Sequence, residues 1–241
     1  MSTKQNSLAE LAYLKIREQI LQGRLPFGAS LSRRSLAKQL GMSPLPVSEA
    51  LQRLKNESLV EAIPRVGTRV KLPTAEDIRG FYIVREALES MSARRFAENA
   101  TQAERDELLL LARELDVAYS RCAGTENASV EQLFELRKMH MRLHLLIAQG
   151  AHCQFLFEAI EKNQVLIFNW FLDKLFGYPG LPADWHERLA LVLQGTDAEA
   201  ADRAMRTHVR FRMEELLARL EPYFQLDRSH LLKVIEEHRP N

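Results

Sequence analysis

The sequence predicts a mainly α-helical chain in two parts. A small basic module with one short pair of strands comes first, and an all-helical acidic bundle of six or seven helices follows. Three observations lead there. Apolar residues recur at helical spacing along most of the chain, as in Val47, Ala50, Leu51 and Leu54, the i, i+3, i+4, i+7 stripe of a helix buried on one side. Strand-prone residues gather only in Leu59 to Ile63 and Thr68 to Leu72, around the turn-forming Pro64-Arg65-Val66-Gly67. Charge divides at Leu72-Pro73-Thr74: residues 1–73 hold 12 Lys+Arg against 5 Asp+Glu, and residues 74–241 hold 21 against 27, which the overall net charge of +1 conceals.

Two domains, 1–73 and 74–241, are therefore expected, and 241 residues suffice to give each a core. The basic excess points to a polyanion as partner of the first domain only, although a solvated basic face without function would look alike. No apolar run approaches the roughly 18–20 residues of a membrane span. Met1 to Glu10 lacks the apolar stretch of a secretory signal. Cys122 and Cys153 make neither a disulfide framework nor a metal motif. These features predict a cytoplasmic chain with no membrane partner.

In order, Leu8 to Leu21 reads as an amphipathic helix that Gly23 can end, and Leu25-Pro26-Phe27-Gly28 as a turn. Ser32 to Leu54 then holds two short helices with a tight turn at Gly41. Leu36, Ala37 and Leu40 line the first; Ser43 fits the N-cap of the second and Pro44 its first helical position. Two such helices could be an ordinary helical hairpin. They also describe a helix-turn-helix, whose second helix enters a DNA groove. With the strand pair after them they make a winged helix, Arg65 and Arg69 on or beside the wing, placed for phosphate contact.

In the second part, Thr74 with Glu76 and Asp77 opens a helix to about Ala100, and Thr101-x-x-Glu104 is a capping box for the next, to about Cys122. Further helices are expected over Val130 to Ala148, Cys153 to Phe176, Asp184 to Gln194, and from a Thr196-x-x-Glu199 cap to about Leu220, with one more short helix in the tail, Asp227 to His238. Phe168, Trp170 and Phe171 lie in a helix too apolar all round to be exposed in a monomer, which favours core or dimer contacts.

The chemistry lies in the histidines. His140 and His144, at i and i+4, share one helical face, a spacing that suits two imidazoles on one metal ion. His186 and His208 lie on two further helices, and four inward imidazoles would form a metal site of the kind helical bundles support. The plain alternative is four satisfied core or surface histidines. His152, His230 and His238 match no pattern.

Several motifs carry a family resemblance. G-R-L-P-F-G at 23–28, L-S-R-R-S-L-A-K-Q-L-G at 31–41, P-V-S-E-A-L-Q-R-L at 46–54 and the wing from Leu59-Val60-Glu61 to Gly67 resemble the N-terminal domain of GntR-family transcription regulators. Y-I-V-R-E-A-L-E at 82–89, the His144 segment, Trp185-His186 and G-T-D-A-E-A-A-D-R-A-M-R-T-H at 195–208 look like the FCD effector domain of that family's FadR branch. The resemblance implies a ligand-responsive regulator, a repressor being the commoner kind. It would bind a palindromic double-stranded DNA operator as a homodimer. It also implies a divalent metal held by one Asp and three His. The three match His144, His186 and His208, but the Asp position is His140.

An imidazole there leaves the site one unit more positive. All-nitrogen ligation suits Zn²⁺, Ni²⁺ or Cu²⁺ better than Mg²⁺, Ca²⁺ or Mn²⁺, so zinc, with nickel next, is the expected cofactor. The added charge favours a small carboxylate effector, for which Arg85 matches a family arginine able to offer a bidentate fork. An FCD domain that has drifted to bind its effector without metal is the alternative.

The recognition helix also departs from its family. The pattern S-R-T-P-V-R-E-A-L reads Ser43-Pro44-Leu45-Pro46-Val47-Ser48-Glu49-Ala50-Leu51 here, so Pro44 and Ser48 replace both arginines. Arg33, Arg34, Arg53, Arg65 and Arg69 remain for phosphates, with Ser43, Pro44, Ser48 and Gln52 on the DNA-facing helix and Gly67 at the wing. This predicts strongly salt-sensitive binding dominated by backbone contacts. A sensor or heterodimer partner that has lost sequence-specific DNA binding is the alternative. Catalysis is not expected: Met141-Arg142-Leu143 between the paired histidines contains no general base, and no other catalytic motif is present.

Overall fold

The computed structural model describes residues 7–21, 24–64, 67–122, 130–162 and 181–224. They fall into two compact units that divide between Pro73 and Thr74. The first contains α1 (Leu8–Leu21), β1 (Ser30–Leu31), α2 (Arg33–Leu40), α3 (Pro44–Asn56), β2 (Val60–Ile63) and β3 (Gly67–Val70). The sheet is antiparallel in the order β1-β3-β2, with Val60 opposite Val70, Ile63 opposite Gly67 and Ser30 opposite Arg69. It therefore has three strands where the sequence predicts two. β1 is only two residues long, too short to leave a period-2 pattern.

Ala12, Ile16, Val47, Leu54 and Val70 are buried at the centre of this unit. α2 starts where the Ser32 side chain accepts from the Ser35 N–H and stops at Gly41 in the left-handed conformation, φ 65°. Ser43 stands at the N-cap of α3 as expected, but its side chain makes no capping bond. Of the two N–H groups a cap oxygen ordinarily accepts, those of the second and third helical residues, one is missing here because the third is Pro46.

The second unit contains six helices among its described residues: α4 (Ala75–Asn99), α5 (Gln102–Cys122), α6 (Val130–Gly150), α7 (Gln154–Lys162), α8 (Trp185–Leu193) and α9 (Ala198–Phe224). The capping boxes at Thr74/Asp77 and Thr101/Glu104 both form. The cap of α9 differs from expectation. Asp197, not Thr196, accepts the N–H groups of Glu199 and Ala200, each at 3.0 Å. A carboxylate offers more acceptor sites than a hydroxyl and gains from the helix dipole. Asp184 precedes α8 at φ 55° and makes no side-chain cap.

Two residues fix the approach of the helices that carry the histidines. Buried Arg105 donates to the carbonyls of Ala97 at 2.9 Å and Gly195 at 2.7 Å, and also to that of Leu193. It thereby ties the C-terminal end of α4 to that of α8. On α6, a Cβ added to Gly150 would lie 2.5 Å from the Phe96 ring, so only glycine lets α6 lie this close to α4. Arg65, the Gly23 cap, Phe168, Trp170, Phe171, most of the Cys153–Phe176 helix and the tail with His230 and His238 lie outside the described residues. Among those described, no helix is long and apolar enough to cross a membrane.

Candidate functional site

The first unit presents one face of α3. Leu45, Ser48 and Gln52 follow one another at i, i+3 and i+7 along it. Beside them lies a cleft of about 580 Å³ lined by Arg33, Arg34, Ser48, Gln52, Lys55, Gly67 and Thr68. Four of the residues predicted for DNA contact on α2 and α3 thus share one cleft with the wing residue Gly67. Ser43 and Pro44 are exposed at the tip of the same helix.

Arg53 and Arg69 are placed differently. The Arg53 guanidinium stacks on Tyr13 at 3.6 Å and pairs with Glu10 and Glu57, so it serves the α1–α3 contact. Arg69 pairs with Glu61 across the strands at 2.8 Å. Neither lines the cleft: Glu10 and Glu57 hold Arg53, and Glu61 on the paired strand holds Arg69.

The second unit brings all four predicted histidines together. His140 and His144 project from α6, His186 from the first turn of α8, and His208 from α9. Ring centroids are 4.8 Å apart for His140 and His144, 4.9 Å for His140 and His186, 5.3 Å for His144 and His208, and 5.4 Å for His186 and His208. All four are buried. Nitrogens of His140, His144 and His208 lie within 4.8 Å of one another.

Hydrogen bonds set the tautomers. Arg85 can only donate, and its Nη2 lies 2.9 Å from His144 Nε2, which must therefore accept. His140 Nε2 also lies 2.9 Å from that nitrogen, and His140 Nδ1 lies 2.8 Å from the Tyr119 hydroxyl, whose oxygen accepts from Arg137 Nη1 at 3.1 Å. His144 Nδ1 lies 2.9 Å from Glu89 Oε2, a charge contact without hydrogen-bond alignment. His186 Nδ1 donates to Asp116 Oδ1 at 2.6 Å, while the same carboxylate accepts the backbone N–H of Glu187. That leaves His186 Nε2 and His208 Nδ1 buried with no hydrogen-bond partner.

Electrostatics keep the rings neutral. Burial lowers the pKa of His140 and His208 well below the usual histidine value, and repulsion from His144, His186 and Arg85 adds to it. Burial also lowers His144 and His186, against the opposing pull of Glu89 and Asp116. Burial would raise Glu89, but Arg85 and His144 outweigh it and hold the carboxyl down, to about 2. Arg85 gives its Nε to Glu89 at 2.9 Å and keeps Nη1 buried without a hydrogen bond.

Neutral imidazoles with orphaned nitrogens, two of them (His140 and His186) hydrogen-bonded to an oxygen at Nδ1 and a third with Glu89 beside it, are what a divalent metal needs from a protein. The residues present fit such an ion. Beside them a cavity of about 10 Å³, lined by Arg85, Tyr119, His140, Leu181, Trp185, His208 and Arg212, has room for one water-sized group.

Comparison with known proteins gives the family. Residues 8–70 match the family model described as bacterial regulatory proteins, gntR family, and residues 81–211 match the FCD domain. The chain belongs to the GntR family and carries an FCD domain. It is 24% identical over 235 residues to the uncharacterised HTH-type transcriptional regulator YdhC of Bacillus subtilis, covering 95% of this chain and 93% of that one. It is 26% identical over 199 residues to the HTH-type transcriptional repressor RspR of Escherichia coli K12, covering 82% and 83%. The solved structure of E. coli McbR/YncC shares its fold, with a TM-score of 0.67 and 24% identity over 90% of this chain and 99% of that one. The family consists of transcription regulators, not enzymes.

Sequence reasoning about this GntR-family chain finds the four histidines and Arg85, but not the residues that orient them. Asp116 and Tyr119 each hydrogen-bond a ring nitrogen, and Glu89 faces a third at 2.9 Å. Tyr119 left a faint signal, since it continues the Leu108, Leu111, Ala112, Leu115 stripe of α5 with a polar group at its end. Asp116 stands on the edge of that stripe, four residues after Ala112 and three before Tyr119, an acid where an apolar residue would be expected.

Proposed function

We propose that this GntR-family regulator is a ligand-responsive repressor whose FCD domain binds a divalent metal and a small organic acid. His140, His144, His186 and His208 would hold the ion, zinc or nickel by the chemistry of an all-nitrogen donor set. The ion would supply a positive centre for an anionic ligand. The observation that carries this reading is the pair of buried, partnerless nitrogens, His186 Nε2 and His208 Nδ1, within a ring of neutral imidazoles.

Arg85 would take the acid. Its Nη2 rests on the His144 Nε2 lone pair, the pair that a metal would use. With that lone pair engaged elsewhere, Arg85 keeps Nη1 and Nη2 as a fork for a carboxylate, while Glu89 holds its Nε. The test is metal analysis of the purified chain, with thermal-shift screening of organic acids in the presence and absence of Zn²⁺ and Ni²⁺. Stoichiometric metal that His144→Ala and His208→Ala both abolish, with acid binding that needs it, is the expected result. A chain that stays metal-free when Zn²⁺ and Ni²⁺ are offered, or an acid response untouched by Arg85→Gln, would overturn the reading.

Homodimeric binding to a palindromic operator follows from the symmetry of two winged helices on two half-sites. Gly80, Ile83, Val84, Ala87 and Met91 form an exposed stripe of small and apolar residues along α4, with Ile83 66% exposed. A second copy would cover it. Cytoplasmic residence accords with a DNA partner. The alternative of a sensor without sequence-specific DNA binding draws on the loss of both recognition-helix arginines, and selection from a random DNA pool decides between the two.

A further inference from the structure

The tip of α3 is apolar where a DNA-reading helix ordinarily carries cations. Leu45 is 68% exposed, the most exposed large apolar residue among the described residues of the first unit. It stands between Pro44 and Pro46, so two of the backbone N–H groups a helix start offers an anion are missing. The Ser43 side chain caps nothing. This tip is poorly equipped to hold a phosphate.

Its neighbours are equipped for that. Arg33, Arg34 and Lys55 line the adjoining cleft with Gly67 and Thr68 of the wing. The stripe Leu45, Ser48, Gln52 continues from the tip along the same face of α3. In a helix-turn-helix, the N-terminal residues of this helix contact base edges in the major groove. Of the groups displayed there, only the C5-methyl of thymine is apolar. A leucine aimed at base edges has nothing else to gain from, and a polar base edge opposite it would lose water without a partner.

We infer that Leu45 is a specificity-determining residue that selects a thymine in each operator half-site by burying its C5-methyl group. The inference rests on α3 being the helix that meets DNA. Ser48 and Gln52 would read the neighbouring pairs by hydrogen bonding, and Arg33, Arg34 and Lys55 would fix the register on the backbone.

The experiment uses the full chain. Sites are selected from a random DNA pool, and each thymine of the bound consensus is replaced in turn by deoxyuridine. That change removes the methyl group and leaves every hydrogen-bonding edge in place. One thymine in each half-site is expected to weaken binding about fourfold per half-site when replaced, the worth of one buried methyl. The same replacement is expected to have no effect on Leu45→Ala, whose thermal midpoint should match the parent because the side chain is exposed.

A consensus bound tightly but indifferent to deoxyuridine at every thymine would overturn the role of Leu45 and leave DNA recognition by α3 standing. A deoxyuridine effect that persists in Leu45→Ala would do the same. Failure of the parent chain to bind any selected DNA would overturn both.

Discussion

Arg105 shows how much one side chain can decide. Its guanidinium meets the terminal carbonyls of two helices, groups that no intrahelical N–H can reach. Arg105→Ala is expected to destabilise the second unit by about 3 kcal/mol, since charge-assisted hydrogen bonds to buried carbonyls are lost together; chemical denaturation measures it. An arginine flanked by Glu104, Asp106 and Glu107 looks from sequence like any solvated charge, so this role was illegible. Asp116 is a second case. Asp116→Asn keeps the shape but weakens the pull on His186 Nδ1–H, and metal affinity is expected to fall roughly 10–100-fold, read by competition with a chromogenic chelator. The paired histidines were legible because their spacing is a pattern; their orienting oxygens come from two other helices, and no spacing links them to the rings they face. Arg53 is drawn toward Glu10 on α1, which no spacing announces, and toward Glu57 one turn further on, which the i, i+4 spacing does.

At the scale of elements, caps and glycines carried most of the sequence signal. Helix starts at Thr74 and Thr101 were readable because hydroxyl and acid stand three residues apart, and both boxes form. The start of α9 was misplaced by one residue because Thr196 and Asp197 are both good caps, and only the backbone path chooses between them. Thr74→Ala is expected to cost about 1 kcal/mol. Gly150→Ala is the sharper test of packing. The new methyl would press on the buried Phe96 ring, and overpacking of this kind costs about 1–3 kcal/mol, to be seen as a lowered urea midpoint. Because α6 carries His140 and His144, the same variant should also blunt metal binding. A variant as stable as its parent would mean that α6 and α4 have slack between them.

The whole molecule joins two electrostatic characters in one chain. The basic first unit predicts DNA affinity that falls with a slope of roughly −0.9 per phosphate contacted in a log–log salt plot. Arg34→Ala should reduce that slope by about 1; an unchanged slope would place the backbone contacts elsewhere. The second unit predicts a pH dependence. Its four buried histidines have lower pKa values folded than unfolded. Below about pH 6.5 the unfolded chain therefore takes up more protons, and stability falls as pH falls. The metal-free protein should hold its full stability above that value. It should lose stability toward pH 5, at up to about 1.4 kcal/mol per pH unit for each histidine kept neutral. Thermal midpoints that stay flat from pH 7.5 to 5.5 would contradict this placement of the rings.

The small cavity beside the histidines has a consequence in time. With about 10 Å³ of room, it takes one water and no organic acid. Trp185, stacked on His208 at 5.6 Å, forms part of the wall. An acid that binds there must wait for that wall to part, so the observed association rate should climb with concentration and then level off at the opening rate. If the proposed acid binds there, the regulator would answer a sudden pulse of it with a delay that more acid cannot shorten.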